Sequence, residues 1–514
     1  MDMQETKLIA AAVTAEVISL SGKYEVPDLA RGKVALLSDF TLLVSDSYKR
    51  DNAVNAYKNL LDRSDLEYVV KYVSIEDIKT ANENVAVISG PTSRSVDVSD
   101  VQRDAIKLIG EAVKEGATDI HILNYPDTCL VKFRIHGVLF VVHKFEPDAG
   151  VALCRCIYGS MTDVGDGNFN DRLPQDARLD RKYVASLGLN GARIATRPME
   201  KGNFFALRLL YQGDAKQKTL RVLGYNARQE AIIRQMLRRK GVNIFSGVTG
   251  SGKSTSLQVV LLMLLALHEN GINLLTVEQP LEYVIPGAVQ TPLTGDLDDA
   301  EAVLREWARA ISNLMRLDPD YLMVGELRDL ASAIAAIQAA MTGHGMWTTT
   351  HAKDAFSTLD RLADLGVPVA RLTDASLFTG IVNQALAPVL CPHCKRRYKN
   401  HMSAVPADLQ ERIKKFCMPA GVYIRGNQPD CVPCKGRGVV ARTVVAETVL
   451  TTQALMNVYR SGGSSAARSY WVNHMNGVTK CQHLTQKINE GLVDPAMGEE
   501  AICGLDEDSL NIVV

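Results

Sequence analysis

Apolar positions fall in short β-prone runs over the first two hundred residues and in longer, nearly continuous blocks after that. Runs at 34–37, 41–44, 68–73 and 85–88 predict strands in a first region, 1–95, which closes on the polar stretch 89–100. A helical period over 101–115 opens a second region, 100–212, with strands predicted at 119–123, 129–135, 138–143, 192–196 and 204–210. Residues 211–218 are polar, and 213–218 read as a linker. From 219 to 514 apolar strands and helices alternate, which predicts a mainly parallel α/β sheet.

The longest apolar block, 256–268, carries leucine or valine on nearly every side, as a buried helix would. It follows the β-prone run Val242-Asn243-Ile244-Phe245-Ser246 and the segment Gly247-Val248-Thr249-Gly250-Ser251-Gly252-Lys253-Ser254-Thr255. That segment fits G-x-x-x-x-G-K-[ST] between a strand and a helix, the setting in which backbone N–H groups curl around phosphate oxygens. Gly247, Gly250 and Gly252 allow the curl, with Thr249, Ser251 and Thr255 contributing to the cradle. Lys253 supplies a cation for the β- and γ-phosphates and Ser254 a hydroxyl for Mg²⁺, so the expected ligand is a nucleoside triphosphate.

Length and composition narrow the setting. A chain of 514 residues exceeds one core, so three or more domains are expected. Lys and Arg number 57 against 58 Asp and Glu, a net charge of −1, which leaves no overall electrostatic footprint for nucleic acid. The local cluster Arg234, Arg238, Arg239 and Lys240 reads as a solvated helix face. No stretch reaches the roughly 18–20 apolar residues of a spanning helix, and the start Met1-Asp2-Met3-Gln4-Glu5 is acidic, unlike a signal peptide. The expectation is a cytoplasmic protein.

Acidic residues downstream of the phosphate loop decide what the nucleotide is for. The apolar run Leu322-Met323-Val324 ends in Gly325-Glu326, which brings a carboxylate to the end of a buried strand; Glu326 is the candidate for polarising an attacking water. The run 273–277 leads into Glu278-Gln279-Pro280-Leu281-Glu282, where Glu278 and Glu282 are candidates for Mg²⁺ or its waters. A third segment, Gly343-His344-Gly345-Met346-Trp347-Thr348-Thr349-Thr350-His351, places histidines at both ends of a β-prone run.

Taken in this order, these segments resemble the secretion ATPase superfamily of type II secretion and type IV pilus systems. The similarity covers the phosphate loop, the acidic box 278–282, Asp318-Pro319-Asp320 leading to Gly325-Glu326-Leu327-Arg328-Asp329, and the histidine box ending at His351. Upstream, Ala117-Thr118-Asp119-Ile120-His121-Ile122, Pro174-Gln175-Asp176-Ala177-Arg178, Ala192-Arg193-Ile194-Ala195-Thr196-Arg197-Pro198 and Leu207-Arg208-Leu209-Leu210 resemble the family's second N-terminal domain. The resemblance implies an α/β fold: a RecA-like ATPase domain at 219–514, preceded by an α+β, PAS-like domain at 100–212 and a further small N-terminal domain. It also implies a homohexamer that hydrolyses ATP with Mg²⁺ and turns an inner-membrane platform protein. His351 joins the catalytic set by the same resemblance, and Arg193 and Arg208 match positions that approach the phosphates. An arginine at a transferring phosphoryl group offsets spreading negative charge, whereas a surface ion pair would be worth only about 0–1 kcal/mol. Two departures stand out. Gln279 replaces the usual Asp of the acidic box, and Leu123-Asn124 follows Ile-His-Ile where Glu is usual.

Ten cysteines in a chain with no export signal direct attention to metal spacing. Cys391-Pro392-His393-Cys394 and Cys431-Val432-Pro433-Cys434 form two C-x-x-C knuckles about 36 residues apart, which suits one closed, structural Zn²⁺ site in an insert at 391–434. The other six, Cys129, Cys154, Cys156, Cys417, Cys481 and Cys503, read as ordinary buried thiols. Retraction motors of the family generally look shorter and lack the tetracysteine insert, so the insert and the extension 1–95 point to the assembly type. The leading expectation is thus an ATPase peripheral to the cytoplasmic face of the inner membrane that powers type IV pilus assembly. The alternatives are a type II secretion motor, a conjugative nucleic-acid translocase, disfavoured by the neutral charge, and a non-hydrolysing nucleotide-binding scaffold, suggested by Gln279.

Overall fold

The computed structural model describes residues 17–81 apart from 20–23, 25, 28–29, 50, 65, 67, 76 and 79–80, and then 98–165, 169–212, 218–279, 281, 283–293 and 300–512. The chain forms two compact units, Met1–Tyr211 and Gln212–Val514.

At the start of the first unit, strand β1 (Val34–Leu36) runs antiparallel to β2 (Thr41–Ser45). Helix α1 (Asn52–Arg63) then crosses over to β3 (Val69–Val73), which lies parallel to β2. The Asp51 carboxylate caps α1 by accepting from the Ala53 and Val54 amides, and Val54, Tyr57 and Leu61 recur on the face that packs on Leu36, Leu42 and Val44. The strand expected at 85–88 lies outside the described residues.

The remainder of this unit is a seven-stranded sheet in the order β6-β5-β4-β10-β9-β8-β7, antiparallel throughout. Helix α2 (Val98–Lys114) precedes β4 (Ala117–Asn124), β5 (Cys129–Ile135) and β6 (Val138–Phe145). Helix α3 (Pro147–Ser160) follows, then β7 (Thr162–Gly165), β8 (Gln175–Leu179), β9 (Leu189–Pro198) and β10 (Asn203–Tyr211). Period-two alternation sorts the strands. Ile120, Ile122, Phe205 and Leu207 bury with Ala105, Ile109 and Ala112 of α2, while Asp119, His121, Arg193 and Arg208 fall at the alternate positions.

The second unit is built on a sheet ordered β13-β12-β14-β15-β11-β16-β19, parallel from β13 to β16, with β19 antiparallel at the edge. Helix α4 (Ala227–Met236) leads into β11 (Gly241–Ser246), and the phosphate loop connects β11 to α5 (Lys253–Leu267). Then come β12 (Leu274–Glu278), β13 (Val289–Pro292), α6 (Ala300–Leu314), β14 (Tyr321–Val324), α7 (Leu330–Met341) and β15 (Gly345–Thr350). Every residue of β11, β12, β14 and β15 is buried, because helices cover both sheet faces. Trp307 and Ile311 of α6 and Ile337 of α7 fill one side; Ile233 of α4 and Leu257, Val260 and Leu264 of α5 fill the other. Full burial explains why these strands read as apolar blocks rather than as alternation.

Strand β16 (Phe378–Leu390) ends one residue before Cys391, and β19 (Val439–Leu450) begins five after Cys434. Between them lie the short pair β17 (Arg396–Arg397) and β18 (Tyr423–Ile424) and helix α8 (Ala407–Phe416). Helices α9 (Gln453–Met475), α10 (Lys480–Asn489) and α11 (Pro495–Ala501) follow β19. Tyr398, Leu409, Ile413 and Ile424 of the insert share one core with Leu484, Ile488, Val493 and Leu505. The Arg412 guanidinium adds two 2.7 Å hydrogen bonds to Glu499 of α11. Among the described residues no helix is long and apolar enough to cross a membrane.

The basic cluster departs from expectation. Helix α4 ends at Met236, so only Arg234 lies on it, paired with Glu230 at 2.8 Å. The Arg239 guanidinium instead turns inward and donates to the carbonyls of Thr379, Thr451 and Ala375 at 3.0–3.3 Å. Lys240 donates to the Asp320 carbonyl at 3.0 Å and sits 3.9 Å over the Tyr321 ring. These cations add side-chain donors to carbonyls at strand ends, of which Thr379 O and Asp320 O also accept from the Thr451 and Gly345 amides.

Candidate functional site at the phosphate loop

The loop leaves β11 through Gly247, whose φ of 146° is open to glycine and strained for other residues. A Cβ there would stand 2.2 Å from the Gln384 carbonyl oxygen, so glycine is required by space as well as by conformation. Gly250 (φ 77°) and Gly252 (φ 82°) complete the curl, after which Lys253 opens α5. Val248, Thr249 and Gly250 form an exposed crest, Ser251 is buried beneath it, and Ser254 and Thr255 are half-buried in the first turn of the helix. Free N–H groups at a helix start, with the positive end of its dipole, make this a place for phosphate.

Two strand ends that bring carboxylates, β12 with Glu278 and β14 with Glu326, and one that brings a histidine, β15 with His351, lie at the loop's end of the sheet. Lys253 Nζ donates to the carbonyls of Gly247 at 2.8 Å and Val248 at 3.2 Å, and lies 3.4 Å from His351 Nδ1. His351 Nε2 is in turn 3.3 Å from Glu326 Oε1, and the Arg328 Nε holds the other Glu326 oxygen at 2.9 Å. An ammonium only donates, so the neutral tautomer that matches this order has Nδ1 accepting from Lys253 and Nε2–H donating to Glu326. Burial, followed by the Lys253 charge, lowers the His351 pKa from its ordinary 6.5, which agrees with that assignment. The strand end is held firmly: Leu327 N donates to Thr349 O at 2.9 Å and Thr349 Oγ1 to Gly325 O at 2.7 Å.

Glu278 ends β12 and is buried, its Oε1 accepting from Thr276 Oγ1 at 2.8 Å and Gln290 Nε2 at 3.0 Å. The amide oxygen of Gln279 is buried with no hydrogen-bond partner among the described residues, at the position where the family pattern has Asp. Tyr283 OH reaches Thr255 Oγ1 at 3.1 Å and so ties the acidic box to α5. Glu282 lies outside the described residues. The structure thus brings Lys253, Ser254, Glu278, Glu326 and His351 to one end of the parallel sheet. His344, at the opposite end of β15, meets Thr342 Oγ1 at 3.0 Å and stands apart from this group.

Arg193 and Arg208 occupy facing positions in β9 and β10 of the other unit. Arg208 Nε pairs with Asp119 Oδ1 at 2.9 Å, with the Arg134 Nε at 3.8 Å from the same carboxylate. Like charges placed directly across a sheet disfavour each other, and at Arg208 the Asp119 carboxylate on the neighbouring strand offsets part of that.

The four knuckle cysteines converge. Cys391, Cys394, Cys431 and Cys434 are buried, and their sulfurs all lie within 4.8 Å of one another. The Cys391–Cys431 and Cys394–Cys434 sulfur distances are 3.7 and 3.6 Å, against an edge of ~3.8 Å for a tetrahedron with Zn–S of about 2.3 Å. The donor set fits zinc, and Gly438 N–H donates to Cys434 Sγ at 3.2 Å, as outer-sphere donors to thiolates do. Of the remaining cysteines, Cys129, Cys154, Cys156 and Cys481 are buried as expected, whereas Cys417 and Cys503 are half-exposed.

Residues that motif reading passed over brace the site from behind: Tyr225, Thr276, Tyr283, Gln290, Asn383 and Gln384. The Asn383-Gln384 doublet carried a visible signal, two amides inside the apolar run of β16.

Residues 94–501 match the family model described as type II/IV secretion system protein. The chain is 32% identical over 405 residues to the type II secretion system ATPase E of Vibrio cholerae, spanning 76% of this chain and 75% of that protein. It is 29% identical over 432 residues to the type IV pilus assembly ATPase PilB of Myxococcus xanthus, spanning 82% and 72%. The ATPase DotB of Legionella pneumophila shares the fold, with a TM-score of 0.50 at 18% identity over 80% of this chain and 97% of that one. A phosphate loop framed by Glu278, Glu326 and His351 on a parallel sheet, together with a family match over most of its length, shows that this chain belongs to the type II/IV secretion ATPases.

Proposed function

We propose that this ATPase is the hexameric motor of type IV pilus assembly, acting from the cytoplasmic face of the inner membrane on a platform protein. The observation that carries the enzymatic part is the Lys253–His351–Glu326 chain at the phosphate loop. Glu326 orients and polarises the attacking water, and neutral His351 fixes the carboxylate by donating to it. Lys253 neutralises the phosphates. Ser254 and Glu278 would hold Mg²⁺ or its waters, with Glu282 as a further candidate, and the ion when bound spreads the charge of the phosphates. Arg193 and Arg208 of a closed ring would add positive charge to the transferring group. The tetracysteine insert and the N-terminal extension support the assembly type. A second reading, a type II secretion motor, is favoured by the higher identity to ATPase E than to PilB. Deleting the gene separates them: loss of surface pili with secreted enzymes intact supports the first, and the reverse supports the second.

The His351 geometry predicts a pH response. Protonating Nδ1 would set an imidazolium beside Lys253 and Arg361, so turnover should fall as pH drops through a value below the ordinary 6.5. His351→Gln should lose that acid limb in a kcat profile. A limb above pH 6.5, or one unchanged in the variant, would contradict the assignment.

Zinc at Cys391, Cys394, Cys431 and Cys434 is proposed as structural, because four thiolates leave no open position. One equivalent per chain is expected from metal analysis of protein purified without chelator. Cys391→Ser should lose the metal and loosen the insert together with α10, since they share a core. Nucleotide binding should outlast this loss. Zinc-free wild-type protein, or a Cys391→Ser variant with a full equivalent, would overturn the assignment.

A further inference from the structure

Strand β16 is apolar around its middle, Ile381-Val382 before and Ala385-Leu386 after, yet Asn383 and Gln384 stand there with no exposed surface. Burying two primary amides is costly unless their hydrogen-bonding groups find partners, and here they do. Gln384 Nε2 donates to the Ser251 carbonyl in the phosphate loop at 2.7 Å, and its Oε1 accepts from Tyr225 OH at 2.5 Å. The Tyr225 hydroxyl also lies 3.1 Å from Ser256 Oγ in the first turn of α5. Burial pushes the Tyr225 pKa up, which keeps the hydroxyl a donor at any ordinary pH. Gln384 lends its backbone carbonyl to the same task, closing the space above Gly247.

Asn383 faces the other side of the loop. Its Nδ2 donates to Ser246 Oγ at 2.9 Å, just before the phosphate loop, and to the Ala352 carbonyl at 3.1 Å, just after His351. Its Oδ1 accepts from Lys480 Nζ at 2.8 Å, and that ammonium also donates to the Lys353 carbonyl. Glu447, fully buried, anchors this end by accepting from Ala355 N at 3.0 Å, Lys480 N at 3.2 Å and Arg468 at 3.0 Å. The segment 352–355 behind His351 is therefore pinned to β16, β19 and α10, three elements that follow the histidine box in sequence.

We propose that Asn383 and Gln384 are positioning residues with separable effects: Gln384, held by Tyr225, shapes the phosphate loop and sets nucleotide affinity, while Asn383, held by Lys480, places His351 and sets turnover. The proposal rests on the phosphate loop being the nucleotide site. Tyr225 holds the first arm and Lys480 the second, and removing either holding group should cost about tenfold in the parameter its arm governs. Full-length Tyr225→Phe and Gln384→Leu should bind a fluorescent ATP analogue about tenfold more weakly, with kcat within twofold of wild type. Lys480→Met should lower kcat about tenfold with analogue affinity within twofold, and Lys480→Arg should recover part of the loss. A merely structural role would lower the melting temperature and leave both parameters of the folded protein unchanged. Unchanged affinity in Tyr225→Phe, which keeps the ring and so folds even where Gln384→Leu does not, would overturn the first arm. Parallel losses of affinity and kcat in Lys480→Met would overturn the second. Lys253→Ala serves as the control: if it still binds the analogue, the phosphate-site reading has failed rather than this one.

Discussion

Glu326→Gln should bind ATP as the wild type does and turn it over about 10²- to 10⁴-fold more slowly, the range typical of losing a positioned general base. The substitution keeps the shape of the side chain, and an amide oxygen can still accept from His351 Nε2 or Arg328 Nε. It loses the charge and basicity that polarise water, and one of the two oxygens that accept from His351 and Arg328. The position is preset by structure: Gly325 and Leu327 on either side are tied to β12 and β15 through Val277 O and Thr349 O, both at 2.9 Å. A uniform-binding role would raise KM and spare kcat, so the two constants separate the possibilities. Equilibrium binding of a fluorescent ATP analogue with steady-state phosphate release checks it. Wild-type kcat in Glu326→Gln would remove Glu326 from the reaction.

Arg193→Ala with Arg208→Ala is expected to lower turnover by about 10³-fold or more, the lower end of what an arginine supplied to a transferring phosphoryl group provides. As a surface feature the change should be minor. Arg208 is half-exposed, and its ion pair with Asp119 belongs to a class worth about 0–1 kcal/mol, so the melting temperature should shift by only a few degrees. Asp119 keeps Arg134 nearby and is not stranded. Facing arginines in register repel each other, and an anion between them would turn that repulsion into binding. A folded double variant with full turnover would leave only the surface-pair reading.

Much of the site was legible because its chemistry is local in sequence. The phosphate loop is one contiguous segment, and its glycines sit where positive φ and a neighbouring carbonyl demand them. The cysteine knuckles were legible for the same reason, each being a turn that fixes two thiolates. Glu326 could be named from a strand end and His351 from the family resemblance, but their 3.3 Å contact could not, since it depends on β14 and β15 lying side by side. The roles of Tyr225, Asn383 and Gln384 were hidden more deeply: they join residues more than a hundred positions apart through strand neighbours that no motif records. The basic cluster 234–240 was legible only in part: Arg234, Arg238 and Lys240 are exposed as expected, and Arg239 is the exception. Charge in sequence suggests solvent, yet Arg239 is drawn inward by carbonyls of Thr379 and Thr451 that come from far along the chain. Burial on both faces erased alternation in β11, β12 and β14, yet their short β-prone runs between loop signals still marked them as strands.

The central claim, that the phosphate loop of this chain hydrolyses ATP with Glu326 and His351 completing the site, is tested most directly by steady-state ATP turnover in the full-length protein and in Lys253→Ala. The account predicts measurable phosphate release by the wild type and its loss, together with nucleotide binding, in Lys253→Ala. Wild-type protein that binds ATP tightly yet releases no phosphate, or a Lys253→Ala variant that turns over normally, would contradict it.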